Sequence, residues 1–138
     1  MKKTILALFA VTVLTFVVSC NSEQREVERV AQAYLDAETN FKIDEARPYV
    51  SGDEMNSAMD MIENFVVPNM EKSTLDSLVP NKVKIKNTEM YADTMAIVSF
   101  HSSNPKQESN AQIKMRKIDG QWKVVEQGKT VAAPSTEK

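Results

Sequence analysis

The strongest constraint on this 138-residue chain is a change of period at Pro80. Before it, apolar residues recur at helical spacing; after it, they alternate. From Glu23 to about Thr39 the apolar positions are Val27, Val30, Ala31, Tyr34 and Leu35. That is the i, i+3, i+4, i+7, i+8 pattern of one helix face. Arg25, Glu28, Arg29, Gln32 and Asp36 take the other side. A short second helix is expected near Asp44 to Val50, with Asp44 as its cap and Pro48 in its first turn. A third is expected from Asp53, again a cap, with the stripe Met55, Met59, Ile62, Phe65 and Val66 and an end or kink at Pro68. Leu75 and Leu78 fit one more helical turn.

Beyond Pro80, Val83, Ile85 and Asn87 alternate with Lys82, Lys84 and Lys86, a strand with one wet face. Thr94 to Ser102 is rich in β-branched and aromatic residues and reads as a strand covered on both sides. Ala111, Ile113 and Met115 mark a third strand. Asp119-Gly120 is a hairpin signal leading into Trp122, Val124 and Val125, with an end near Gly128. Helices followed by a meander of about four antiparallel strands predict the α+β class, one helical layer on one curved sheet.

The first twenty residues carry a different message. A basic start at Met1-Lys2-Lys3 precedes an apolar run from Ile5 to Val18, broken only by Thr12 and Thr15. This is the pattern of a secretory signal, and it is shorter than the roughly 20 apolar residues that span a bilayer. Val17-Val18-Ser19-Cys20 resembles a bacterial lipobox, with Val17 where Leu is usual. The resemblance implies that the Cys20 thiol is acylated and that cleavage leaves it as the N-terminus. Cys20 is the only cysteine, so no internal disulfide can form, and lipidation accounts for a lone thiol in an exported protein. Conventional secretory cleavage at the same place and an uncleaved anchor are the alternatives.

These signals divide the chain into a signal peptide (1–19), a lipidated cysteine with a short tether (20–25), a folded domain (26–128) and a tail expected to be disordered (129–138). Loss of Lys2 and Lys3 from 17 basic residues, against 19 acidic ones, leaves the processed chain acidic. That argues against nucleic acid and against a polybasic grip on anionic lipid. The expected location is the cell envelope, lipid-anchored and periplasm-facing; surface display is the alternative.

The run Ile113-Lys114-Met115-Arg116-Lys117-Ile118-Asp119-Gly120-Gln121-Trp122-Lys123-Val124 resembles the closing hairpin of the nuclear transport factor 2-like superfamily. Val30-Ala31-Gln32-Ala33-Tyr34-Leu35, Phe41 to Ala46 and Tyr49-Val50 are similar to the opening of small bacterial lipoproteins carrying such a domain. The resemblance spans nearly all of residues 25 to 127. It implies a cone, with a bent sheet wrapped around the long helix, a pocket at the open end, and pairing into a homodimer through the sheet. The fold hosts enzymes, binding proteins and adaptors, so it leaves function open.

Residues with catalytic potential are sparse. His101 is the sole histidine, and no second His or internal Cys completes a typical zinc set. Asp93, His101, Ser102 and Ser103 lack any motif that would orient a triad. Asp44-Glu45 and Asp53-Glu54 suit helix N-termini better than acid–base work. No catalytic residue, cofactor or metal is expected. Tyr34, Met59, Phe65, Phe100 and Trp122 are the candidate pocket-lining residues, with core packing the default for each. The leading expectation is a non-catalytic envelope lipoprotein binding a small apolar ligand or a protein partner. An enzyme using the same pocket and an assembly module pairing through its sheet are the competing readings.

Overall fold

A computed structural model describes residues 22–107 and 110–133. The expectations placed on the signal peptide, on Cys20 and on residues 134–138 lie outside the described residues. Helix α1 covers residues 22–38. Helix α2 (Ile43–Ala46) runs on into a 3-10 turn (Arg47–Tyr49). Helix α3 (Asp53–Met61) continues through a π turn (Ile62–Val66) and a last α turn (Val67–Asn69). Helix α4 is Lys72–Leu78. Strands β1 (Val83–Tyr91), β2 (Met95–Ser102), β3 (Asn110–Ile118) and β4 (Gln121–Gly128) form one antiparallel sheet in that order. The molecule is α+β, as the change of period at Pro80 implies.

The α1 stripe behaves as its spacing dictates. Val27, Val30, Ala31, Tyr34 and Leu35 are all buried, and they share one core with Ala96, Val98, Phe100, Ile113, Met115, Trp122 and Val124 from the sheet. Each fully buried Val, Leu, Ile, Phe or Met side chain among them stabilises the fold by roughly 1.5–3 kcal/mol relative to exposure. The β3–β4 turn has positive φ at both Asp119 (52°) and Gly120 (79°), the backbone twist that a two-residue hairpin between right-twisted strands requires. The β4 edge is partly covered: Val50 bridges Val124 in parallel, and Ser51 donates its N–H to the Val124 carbonyl at 3.0 Å.

Several local expectations need correction. Residues 22–25, assigned to a tether, form the first turn of α1. Asp44 and Asp53 do not cap their helices; Lys42 and Gly52 hold the cap positions, without side-chain bonds. The acidic pairs lie inside the first turns, where the helix dipole still favours them. In β1 the register jumps from Ile85–Phe100 to Asn87–Ser99, leaving Lys86 as a bulge. The extra residue flips the strand, so Asn87 is exposed while Met90 packs against the core. The tail is ordered further than expected. Val131 is buried, and its N–H donates to the Gln112 side chain at 3.0 Å.

Candidate functional site: an acidic cleft and an exposed helix ridge

The site is built around the end of α1. Lys42 donates its N–H to the Ala37 carbonyl at 2.9 Å and Phe41 to that of Glu38 at 3.1 Å. These are the paired bonds of a Schellman cap. The left-handed position of that cap, normally glycine, is held by Phe41 with φ +60°. A bulky residue there costs roughly 1–2 kcal/mol. The conformation is held by its neighbours. Asn40 accepts from the Asn81 N–H at 2.7 Å and donates to the Asn81 carbonyl at 3.0 Å, tying the helix end to the approach to β1. Gln107 reaches across to the Thr39 carbonyl at 2.8 Å.

Phe41 opens onto a cleft of about 390 Å³ whose other walls are Lys42, Ile43, Asp44, Glu45, Glu63 and Val67. Its apolar residues are Phe41, Ile43 and Val67, and three of its remaining four are acidic. A second cleft of about 430 Å³ shares Lys42 and Glu45 and is completed by Ala33, Asp36, Ala37 and Tyr49. Arg47 fixes the position of α3 beside the first cleft. Its guanidinium pairs with Asp60 at 2.8 Å and with Glu63.

The π turn decides which face of α3 meets the cleft. An added residue in one helical turn rotates everything after it. Ile62, Glu63 and Val67 are partly covered, while Met61, just ahead of the π turn, and Phe65 and Val66, within it, stand in solvent, with 60%, 66% and 38% of their surface exposed. These three are the exposed large apolar side chains among the described residues. Core packing for Phe65, expected from regular α spacing, is thus overturned by the π turn.

The five candidate pocket residues are not brought together. Tyr34, Met59, Phe100 and Trp122 are members of the packed core, and Phe65 is on the surface. Tyr34 donates its hydroxyl to Gln127 Oε1 at 2.5 Å, and burial pushes its pKa up. Gln127 Nε2 lies 3.5 Å from Glu38, whose carboxyl burial also pushes up, against the smaller opposing pull of that contact. Neither Tyr34 nor Glu38 lines either cleft. Sequence reasoning missed Glu38 and Gln127 because their contact joins residues 89 positions apart.

The remaining polar candidates are scattered. His101 is exposed on the outer sheet face, 3.3 Å from Asn110 Oδ1, while Ser102 beside it is buried and donates to Asn81. Tyr91 bonds to Glu89, and Tyr49 and Asp36 line the second cleft. No group of three or more His, Cys, Asp or Glu residues arranged to hold a metal is found among the described residues. Among the same residues, no helix is long and apolar enough to cross a membrane. Comparison of the chain with protein families, with curated proteins and with solved structures finds no match in any of the three.

Proposed function

We propose that this chain is a lipid-anchored protein of the bacterial cell envelope whose domain is a non-catalytic binding module for another protein. The observation that carries this reading is the contrast between interior and surface. The aromatic side chains Tyr34, Phe100 and Trp122 pack in one core, whereas α3 and its π turn leave Met61, Phe65 and Val66 in water. Exposed apolar groups gathered on one element are the usual mark of a docking surface. The same contrast favours a protein partner over a small apolar ligand. The finer architecture we propose is the nuclear transport factor 2-like cone. The position of the α1 stripe in one core with the sheet supports it.

The anchor is part of the same reading. Only Asn21 and Ser22 lie between Cys20 and Glu23, a span of at most about 11 Å even if fully extended. Lipid on Cys20 therefore holds the start of α1 near the bilayer. The alternative of pairing through the sheet draws little support from its outer face. There, cross-strand rows such as Glu89–Ile97–Lys114–Glu126 are mostly polar, and Ile97 is already covered.

Photo-crosslinking in living cells tests the reading. A benzoylphenylalanine at Met61 in the full chain is expected to give discrete protein adducts. The same group at Asn87, on the sheet, is expected to give none. Equal labelling from both positions, or none from Met61, would count against a docking role for α3.

A further inference from the structure

Helix α3 carries three methionines, and the fold treats them differently. Met55 and Met59 are buried in the core, whereas Met61 keeps most of its surface in water. Met115 is also buried, and Met70, Met90 and Met95 are partly covered. Met61 is thus the one exposed methionine among the described residues. It does not stand alone. The π turn that follows bonds each N–H to the carbonyl five residues back, as Val67 does to Ile62. Phe65 and Val66 therefore lie one turn beyond Met61, on its side of the helix, and all three are exposed. The thioether sits at the start of an apolar ridge that offers no side-chain hydrogen-bond donor of its own.

We propose that Met61 is an oxidative modification site, converted to the sulfoxide by a peroxide or a hypohalous acid, and that this conversion turns the ridge off as a docking surface. The regulatory half rests on the protein-binding reading above. With hydrogen peroxide, the sulfur lone pair attacks one peroxide oxygen. The S–O bond forms as the O–O bond breaks, and the leaving hydroxide takes the proton of the transferred oxygen and departs as water. The sulfur loses two electrons and the peroxide gains them. Sulfoxide reductases reverse the change, so the site can cycle. The sulfoxide oxygen is a strong acceptor. A partner that covers the ridge must strip water from it, and neither Phe65 nor Val66 can replace that water. Met55 and Met59 are spared because packing keeps the oxidant from their sulfurs. The bilayer does not cover the ridge under the same reading. Glu23 meets the β3–β4 hairpin beside the anchor. Val67, directly after the ridge, shares the Phe41 cleft beyond the other end of α1, about 25 Å along the helix axis.

The test has two arms. In the first, the full lipidated chain in phosphatidylcholine nanodiscs is treated with hydrogen peroxide, and each methionine is followed by peptide mass spectrometry. Met61 is expected to be oxidised about tenfold faster than Met55 and Met59, its neighbours on the same helix. In the second, benzoylphenylalanine at Phe65 reads the ridge in living cells before and after sublethal hypochlorite, with Met61 sulfoxide confirmed by mass spectrometry. Protein adducts are expected to fall several-fold in the parent and to persist in Met61→Leu, which stays apolar and has no sulfur. Met61→Gln, polar from the start, is expected to give few adducts without any oxidant. Circular dichroism should be unchanged in both variants. Met61 oxidised no faster than Met59, adducts unchanged once Met61 is oxidised, or adducts that fall equally in Met61→Leu would each overturn the proposal. No adduct from position 65 before any oxidant would instead remove the protein-binding reading, and the regulatory half with it, while the first arm still decides the modification site.

Discussion

Trp122 donates its indole N–H to the Glu23 carboxylate at 2.9 Å, and Lys117 pairs with the same group. One acidic side chain in the first turn of α1 therefore ties the helix to both strands of the closing hairpin. The link spans 99 residues in sequence.

The hydrogen bonds from Lys117 and then Trp122 hold the Glu23 carboxyl below its usual value of 4.5. A depressed folded-state pKa stabilises above the unfolded value and loses that contribution as pH falls through the folded one. Glu23→Gln is therefore expected to cost about 1 kcal/mol at pH 7, the scale of a partly exposed charge-assisted bond. The difference from the parent should shrink below pH 4.5 and vanish once the carboxyl is protonated in the folded state as well. Urea unfolding at several pH values checks both.

Glu38 has the opposite sign. Burial raises its carboxyl pKa, its one hydrogen bond is long, and it lies in the last turn of α1, where the helix dipole disfavours negative charge. A raised pKa stabilises below the unfolded value and loses that contribution as pH rises through the folded one. Glu38→Gln is expected to stabilise the domain by about 1 kcal/mol at pH 8. The gain should be gone well below pH 4.5, where the carboxyl is protonated in both states. Urea midpoints at the two pH values decide this.

Phe41 offers a test of backbone strain. Alanine and glycine both remove its aromatic ring, but only glycine is at ease at φ +60°. Phe41→Gly is expected to be about 1 kcal/mol more stable than Phe41→Ala. Equal urea midpoints for the two variants would contradict a strained cap.

Phe100 and Phe65 should separate core from surface. Phe100→Ala is expected to cost about 3–5 kcal/mol, because it opens a cavity in the core, where Phe100 is flanked across the sheet by Ile85 and Ala111. Phe65→Ser should change stability by under about 0.5 kcal/mol, since the ring is in water. Thermal melts of the two variants provide the comparison.

These residues also show what the sequence could reveal. The period change at Pro80, the α1 stripe and the Asp119-Gly120 turn are local patterns, and the structure follows them. Phe65 and Asn87 escape such reasoning for a common reason. A π turn that includes Phe65 and a bulge at Lys86 each add one residue, which rotates the helix out of its regular spacing and flips the strand to its other face. The Tyr34–Gln127–Glu38 contacts and the Glu23–Trp122 bond are hidden because they exist only once helix and sheet have packed. The apolar residues of α3 and its π turn, by contrast, are plain in the sequence. Their meaning depends on Met61 and Phe65 facing water, which the sequence does not announce.

Lipid on Cys20 should hold the hairpin end of the domain near the bilayer and present α3 away from it. Under the proposed lipidation the one native cysteine, Cys20, would be blocked, so a cysteine introduced at Asp119 or at Phe65 would give a unique site for a fluorophore. In nanodiscs containing nitroxide-headgroup lipid, the label at position 119 is expected to be strongly quenched and the label at position 65 hardly at all. Adding Cys20→Ala should release the protein and abolish quenching at both positions. Equal quenching at 119 and 65, or a Cys20→Ala protein that stays bound, would contradict this arrangement.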